Sequence, residues 1–170
     1  MSLRRLLIRL MWLYPPYFGA GIRVKPIGEV DAFGVSMKLH WWNRNLMGTQ
    51  FGGSLYSMCD PFFMILLIEK LGRDYVVWDK AAKIRFRRPG KGRVHVEFRI
   101  DPAEVERIRR AADTEPKVEP LFTAKVLDDE GQVIAEVEKL LHVRRRDRER
   151  GVKEEEPDEP VDSPDRAQAV

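Results

Sequence analysis

An almost unbroken apolar run in the middle of the chain constrains the fold more than any other feature. It begins after a pair of glycines at positions 52 and 53 and stops at Leu71-Gly72. A helix that is apolar on all sides must be buried, because none of its faces can be left to water. The run therefore predicts one long central helix over residues 53–71, around which the rest of the chain folds.

A lone carboxylate, Asp60, interrupts the apolar run. Aspartate followed by proline is a typical helix start, with Asp60 as N-cap and Pro61 at the first helical position. A helix that continued through Pro61 would instead lose one hydrogen bond and kink. In that case Asp60 lies about two turns, or roughly 10 Å, beyond Gly53 on the same helix face. Asp60 is therefore either a structural cap or a buried reactive carboxylate, and the two roles are compatible.

Composition excludes several classes of site. The chain has 170 residues, enough for one domain with its own core. Cys59 is the only cysteine, so neither an internal disulfide nor a thiolate metal cluster can form within the chain. Its apolar neighbours predict a buried, unreactive thiol, and the setting favours a cytoplasmic location. The histidines have no metal-ligand spacing, and the sequence contains neither a phosphate loop nor a dinucleotide fingerprint.

Charge is distributed unevenly along the chain. Residues 151–170 contain two basic and seven acidic side chains, so this tail carries −5, whereas the remainder carries +8 and gives the net +3. The tail also has three prolines and few large apolar residues, a composition typical of disorder. We therefore predict a folded, basic domain over residues 21–146 and an acidic, disordered tail over residues 147–170.

The first 20 residues have the pattern of an amphipathic helix. Leucines recur at helical spacing with arginines between them, until Pro15-Pro16 ends the pattern. The apolar run is far shorter than the roughly 20 residues of a membrane span. Arg9 interrupts it as well, so we expect no transmembrane segment. We predict that this N-terminal helix, residues 1–20, covers the core or a partner subunit, although a basic amphipathic helix can also lie on a membrane surface.

Period-two alternation and β-branched residues predict strands on both sides of the apolar helix. The segment 128–131 has the composition of a hairpin turn, and Asp101-Pro102 predicts a short helix or an ordered loop. No parallel strand–helix–strand alternation is evident. The best interpretation is an α+β domain in which an antiparallel sheet wraps around one central helix. The predicted strands cover residues 21–30, 32–42, 76–88, 93–100, 121–127 and 133–143.

Three elements of the central region have a fixed spacing. Asn45 comes first, the glycine pair Gly52-Gly53 follows, and Asp60 stands seven positions after the second glycine. This spacing resembles the phenylacetate-pathway type of hotdog-fold acyl-CoA thioesterase, in which an acidic residue on the central helix follows a glycine pair. The resemblance covers about residues 21–143 and implies the hotdog fold.

The sequence is most similar to the bacterial family of tetrameric acyl-CoA thioesterase-like hotdog proteins. That family shares the Tyr-Pro-Pro-Tyr run at residues 14–17 and the run at residues 48–54. Many active relatives have a histidine directly before the glycine pair, where this chain has Phe51. Whatever that histidine contributes to ordering the loop or the substrate is missing here, so the resemblance implies the fold more directly than the activity.

The resemblance implies thioester hydrolysis without a cofactor, with coenzyme A only as part of the substrate and with no metal. The thioester carbonyl would accept a hydrogen bond from the N–H of Gly53, which stabilises the developing oxyanion. Asp60 would act as general base or as nucleophile. Asn45 would hold the water or the carbonyl, unless it is only a turn residue. Asp79 aligns with a Ser or Thr of some relatives that orients water, and it is not assigned to catalysis.

The substrate is expected to lie along the central helix and the strand that follows it. The acyl chain would occupy an apolar slot beside Tyr56, Met58 and Phe62, next to Phe51 and Gly52. Alternating cations on the following strand form a row that either holds the phosphates of coenzyme A or is a solvated face. In this fold the two sides of a site come from different subunits, so the resemblance implies a homodimer or a dimer of dimers. The proposed phosphate-binding residues are Arg85, Arg87 and Arg88.

Two other classes of protein remain open. Phe51 favours a non-catalytic acyl-CoA-binding or scaffold hotdog protein. A nucleic-acid-binding module would use the basic strand with Trp41 and Trp42 as stacking platforms. Adjacent strand residues face opposite sides of a sheet, so at least one of these tryptophans is expected to be buried. We therefore expect a thioester hydrolase without a nucleic-acid partner.

Overall fold

The computed structural model describes residues 6, 8, 10–28 and 31–147. Positions 6, 8 and 10 are helical, and a 3₁₀ turn covers Met11–Leu13. Residues 148–170 of the predicted acidic tail, and part of the predicted N-terminal amphipathic helix, lie outside the described residues. Within them no helix has the length and apolarity needed to cross a membrane. The helices are α1 (Pro15–Ala20), α2 (Gly52–Ser57), α3 (Phe62–Leu71) and α4 (Pro102–Thr114).

Six antiparallel strands form one sheet in the order β1-β2-β4-β5-β6-β3. Each predicted strand is present, with ends that differ by at most a few residues, because period-two alternation determines which residues face the core. The predicted α+β architecture is confirmed. The strands are β1 (Ile22–Ile27), β2 (Ala32–Lys38), β3 (Tyr75–Phe86), β4 (Arg93–Arg99), β5 (Leu121–Asp128) and β6 (Val133–Arg145).

The core lies between α3 and the concave side of the sheet. Phe62 on α3 is fully buried, and its ring centroid lies 5.3 Å from that of Phe33 on β2 and 5.0 Å from that of Phe98 on β4. Phe63 meets the Phe98 ring edge-on. Such aromatic packing is expected for a helix whose faces are nearly all apolar, and it confirms that the apolar run is the centre of the fold.

The central helical segment is interrupted rather than continuous. Helix α2 ends at Ser57 and α3 begins at Phe62, with a cis peptide bond between Asp60 and Pro61. A proline inside a helix removes one backbone donor and clashes with the preceding turn, which explains the break. The N-terminus of α3 carries no side-chain cap. The interpretation of Asp60 as an N-cap is therefore wrong, because its carboxylate is directed elsewhere.

Helix α4 is longer than the predicted short helix or ordered loop. Asp101 caps it by accepting a hydrogen bond from the N–H of Ala103 at 2.7 Å. One face of the helix is buried through Val105 and Ile108. Arg109 donates to the carbonyls of residues 70 and 71 at the end of α3. These contacts keep 13 residues helical although polar side chains dominate the segment.

The turns differ in how well the sequence predicts them. The predicted hairpin turn joins β5 to β6, where the Asp128 carboxylate accepts from the N–H groups of Glu130 and Gln132. The prediction for the tryptophan pair is wrong, since β2 ends at Lys38. Trp41 and Trp42 lie in the following turn and are 79% and 52% exposed. Without a strand, the rule that neighbours face opposite sides does not apply.

Candidate functional site

A buried lysine joins three residues from different parts of the fold. Lys139 on β6 is only 1% exposed. Its Nζ lies 2.5 Å from Oδ1 of Asp60, 3.1 Å from Oδ2 of Asp79 and 3.2 Å from the hydroxyl of Tyr56. An ammonium group has three hydrogens, and each has a partner here. We call these four residues the lysine cluster.

Each member of the lysine cluster is positioned by its own element. Lys139 lies on β6 between β5 and β3, opposite Ala82 on β3. Asp79 is on β3 at a bulge, where the register with β6 shifts between Asp79 and Ala81. A bulge redirects side chains locally. Asp60 comes from the break between α2 and α3, and Tyr56 comes from α2. The cluster therefore connects the helix break to the sheet.

Electrostatics favours the charged form of the lysine. Burial alone would lower the pKa of Lys139, but its hydrogen bonds to Asp60, Asp79 and Tyr56 outweigh burial and raise that pKa above its ordinary value. Burial raises the pKa of Asp79, the Lys139 ammonium opposes that rise, and the neighbouring Asp60 charge adds to it. Two carboxyl groups therefore contact one cation.

Asp60 is less buried than predicted. Its side chain is 42% exposed, because the helix break brings it to the edge of the core, while Lys139 occupies the inside. The hydroxyl of Tyr17 donates to the backbone carbonyl of Asp60 and ties α1 to the break. Burial, with help from the Asp60 charge, raises the pKa of Tyr17, so this phenol stays a neutral donor. Asp60 thus combines a fixed backbone with a solvent-accessible carboxylate.

A cavity of about 430 Å³ opens beside Asp60. Of the residues predicted to border an acyl slot, Tyr56 lines the cavity, and its role in binding stays a prediction. Met58 and Phe62 do not line it, because both are fully buried in the core. The wall is mainly aromatic, prolyl and thioether in character. It is formed by Met11, Tyr14, Pro16, Tyr17, Tyr56, Ser57, Asp60 and Pro61.

The glycine pair begins helix α2. The N–H of Leu55 is the first in the helix to reach a carbonyl, that of Phe51, so the N–H groups of Gly52 and Gly53 precede the first helical hydrogen bond. Aromatic rings lie close to both glycines. A Cβ on Gly53 would come within 2.5 Å of the Phe51 ring, and one on Gly52 within 2.9 Å of the Phe86 ring. Only glycine fits beneath these rings as they stand.

Asn45 uses its amide group inside its own loop. Its Nδ2 donates to the hydroxyl of Thr49 at 3.0 Å and to the carbonyl of Gln50 at 3.3 Å. Its Oδ1 accepts from the N–H groups of Met47 and Thr49. This is the hydrogen-bonding pattern of a turn-forming asparagine. The geometry supports the turn interpretation and assigns the Asn45 side chain to the loop that leads to α2.

The basic row on β3 is paired with acidic residues of β6. Arg85 lies 3.0 Å from a carboxylate oxygen of Glu138, and Arg87 lies 2.6 Å from one of Glu136. Arg88, just after β3, donates to the side chain of Gln132. All three arginines lie along the outer sheet, separate from the residues that line the cavity. Binding of coenzyme A phosphates there stays a prediction.

Sequence reasoning missed Lys139, although the sequence holds a signal for it. On β6 every second residue from Ala135 to Val143 is buried, and Lys139 falls on that inward face among apolar residues. A lysine is almost never fully buried unless it is paired. A lone cation in a row of inward apolar positions therefore indicates a buried carboxylate partner. Cys59 is fully buried as predicted, and burial raises the pKa of its thiol to about 12.

The fold has counterparts among solved structures. A Pseudomonas aeruginosa protein of unknown function, described as a probable thioesterase, is 24% identical; the match covers 86% of this chain and 99% of that one, with a TM-score of 0.73. A thioesterase from Haemophilus influenzae is 13% identical, with coverages of 85% and 92% and a TM-score of 0.59. Among proteins with curated function, none matches the chain. The architecture and these similarities define a protein with the hotdog fold.

The chain belongs to the family described as Domain of unknown function (DUF4442), whose model matches residues 4–143. That range includes the N-terminal segment, the helix break and most of β6. All members of the lysine cluster lie within it. The predicted resemblance to hotdog-fold thioesterases is confirmed, whereas the substrate and the catalytic residues are matters for proposal.

Proposed function

We propose that the protein hydrolyses a thioester, with an acyl-CoA as substrate and Asp60 as general base or nucleophile. The single observation that carries this proposal is the position of the Asp60 carboxylate. It is held by a buried ammonium group at 2.5 Å and borders an apolar cavity large enough for an acyl group. The solved structures of the same fold that are described as thioesterases support the reaction class.

In the proposed reaction Asp60 supplies the base and Gly53 supplies the hydrogen-bond donor to the oxyanion. The thioester carbonyl accepts a hydrogen bond from the N–H of Gly53, which lies before the first helical hydrogen bond of α2. Asp60 takes a proton from water as the water oxygen attacks the carbonyl carbon. The C–S bond then breaks, and the leaving thiolate receives that proton to give free thiol and carboxylic acid. In the nucleophilic variant, Asp60 itself attacks the carbonyl and water hydrolyses the resulting anhydride.

Lys139 and Asn45 position other groups of the site and do not contact the reacting atoms. The ammonium of Lys139 fixes one oxygen of Asp60 and keeps the carboxylate aligned with the cavity. Asn45 fixes the loop that leads to the glycine pair. No step needs a cofactor or a metal, and coenzyme A enters only as part of the substrate. We retain the cytoplasm as the place of action, since the single cysteine fits a reducing compartment.

We also propose that the active form is a homodimer or a dimer of dimers. In the part of the chain that the structure describes, β3 is the last strand of the sheet and pairs only with β6, which leaves one long edge of the sheet open there. Open edges are normally covered or paired. Phe86 at the end of β3 is 57% exposed and Phe51 is 56% exposed, so apolar surface accompanies the open edge. Light scattering at micromolar concentration tests this proposal, and a monomer contradicts it.

A second candidate is a protein that binds acyl-CoA without hydrolysing it. The observation that favours it is the ring of Phe51, which lies over Gly53 where a substrate carbonyl would approach. Binding of acyl-CoA with no turnover over a full range of acyl groups identifies this alternative. Turnover by the wild-type protein excludes it.

The decisive experiment replaces Asp60 with asparagine. Asp60→Asn keeps the size of the side chain but removes the base, so we expect thioester hydrolysis to fall by about two orders of magnitude or more. Since Lys139 keeps its contact with Asp79, the variant still folds. Asp129→Asn, in the exposed hairpin turn, is the matched control. Hydrolysis of every accepted thioester at the wild-type rate by Asp60→Asn would refute the assignment.

A further inference from the structure

We propose that the N-terminal segment, residues 11–17, sets the length of the acyl chain that the site accepts, with Met11 and Tyr14 as the specificity-determining residues. This inference rests on the proposed thioester hydrolysis and names its substrate class. The preferred substrate is a medium-chain acyl thioester, with an unbranched apolar acyl group of about ten to fourteen carbon atoms.

The N-terminal segment supplies half of the residues that line the cavity. Met11, Tyr14, Pro16 and Tyr17 face the helix break across the cavity, where Asp60 and Pro61 lie. The reacting carbonyl must lie next to the Asp60 carboxylate. The acyl chain attached to that carbonyl then extends along the wall that the N-terminal segment forms.

Contacts on two sides hold this wall in place. On the inner side Tyr17 is 4% exposed, its hydroxyl donates to the carbonyl of Asp60, and its ring packs against Phe62. The Tyr14 ring meets the Tyr17 ring edge-on at 5.6 Å. On the outer side, the guanidinium of Arg23 on β1 stacks 4.6 Å above the ring of Trp12. A wall that is held on both sides discriminates between acyl chains of different length better than a mobile loop would.

The chemistry of the cavity fits an apolar occupant. Among the described residues of its lining, polar side chains are limited to the Tyr hydroxyls, Ser57 and Asp60, and the hydroxyl of Ser57 already donates to the carbonyl of Gly53. A charged acyl group would find no cation among these described residues. A volume of about 430 Å³ accommodates about 14 groups of the size of a water molecule, at roughly 30 Å³ each. This volume favours a medium-length acyl group over a short one.

The test compares acyl-CoA substrates of increasing length on the full-length protein. Met11→Trp fills the cavity, and Tyr14→Ala enlarges it. Phe18→Ala is the matched control, since Phe18 lies on the same helix and is 60% exposed, close to the 58% of Tyr14, but does not line the cavity. The substrates are butanoyl-, octanoyl-, dodecanoyl- and hexadecanoyl-CoA, and the readout is kcat/KM for each.

We expect the wild type and Phe18→Ala to prefer dodecanoyl-CoA. Met11→Trp should lower the ratio of dodecanoyl to butanoyl kcat/KM by about tenfold or more, and Tyr14→Ala should raise the ratio of hexadecanoyl to dodecanoyl kcat/KM. Unchanged ratios in both variants overturn the inference while the proposed hydrolysis stands. If Met11→Trp does not fold, the smaller change Met11→Phe replaces it, with the same direction expected.

Failure of the proposed function is distinguishable from failure of this inference. If the wild type hydrolyses none of the thioesters, the function is wrong, and binding of dodecyl-CoA thioether is then measured by calorimetry on the same variants. Loss of binding in Met11→Trp but not in Phe18→Ala supports the N-terminal wall. Equal affinity in both variants overturns it.

Discussion

Replacing Lys139 with methionine tests how much the lysine cluster contributes to the free energy of unfolding. Methionine has a similar length and fills the buried position, but it carries no charge and no donor. Two carboxylates, those of Asp60 and Asp79, would then lie close together without a cation. Removing one partner of a fully buried ion pair costs about 3–5 kcal/mol. Because the side chains of Asp60 and Asp79 retain 42% and 26% exposure, solvent screening reduces the loss. We therefore expect about 2–3 kcal/mol at pH 7.

The stability lost in Lys139→Met should depend on pH and should be larger at neutral than at acidic pH. Burial already raises the pKa of Asp79, and Lys139 opposes that rise, so the pKa of Asp79 rises further in Lys139→Met. A carboxyl with a raised native pKa binds more protons in the folded state, and stability then falls as pH rises from its unfolded pKa of about 3.9 through the native value. The deficit of Lys139→Met should therefore be smaller at pH 4 than at pH 7.

Urea unfolding followed by circular dichroism measures both effects. With a slope of about 1–3 kcal/mol per molar urea, the expected loss moves the midpoint by about 0.7–3 M. The matched control adds Asp60→Asn and Asp79→Asn to Lys139→Met and should recover much of the stability. If the free energy of unfolding of Lys139→Met alone lies within about 0.5 kcal/mol of the wild-type value at pH 7, the reasoning is refuted. An equal deficit at both pH values would show that lost packing, not charge, is the cause.

Two further predictions concern local structure. Asp101→Ala should lose about 1 kcal/mol of stability, since it removes the cap of α4, whereas Asp101→Asn should lose almost none; thermal unfolding measures both, and equal losses would contradict capping as the cause. Cys59 should not react with a thiol reagent at pH 8 in the native protein, because the thiol is fully buried and its pKa is raised to about 12. Reaction should follow unfolding in urea, and rapid labelling of the folded protein would contradict the buried position.

The sequence predicts the sheet well because each strand is a local pattern. The alternation of apolar and polar residues in β2 or β6 can be recognised from a few consecutive residues, without knowledge of the partner strand. The break in the central helix is harder to predict, since Asp60-Pro61 is equally consistent with a helix start and with a kink. Trp41 and Trp42 were misplaced for a similar reason: an aromatic pair has the same composition in a strand as in an exposed turn.

The candidate site divides into a local part and a part that depends on sheet register. Asp60 and the glycine pair lie within a few turns of each other, so their spacing is visible in the sequence. Lys139 stands 79 positions after Asp60 and meets it only where the helix break packs on the sheet, while the pairing of β3 with β6 brings Asp79 to Lys139. A shift of one residue in that register would turn Lys139 to the other face of the sheet. Neither composition nor spacing specifies that register.

The strand order has a consequence for how the chain folds as it is made. Among the described strands, β3 pairs only with β6, which comes last along the chain, so β3 leaves the ribosome well before its partner exists. Until β6 arrives, Asp60 and Asp79 have no Lys139 to neutralise them, and β3 has no neighbour to fill its hydrogen bonds. A nascent chain stalled before residue 133 therefore lacks both the outer part of the sheet and the charge balance of the site. Completion of β6 joins β3 to the sheet and places Lys139 beside Asp60 and Asp79 in a single event.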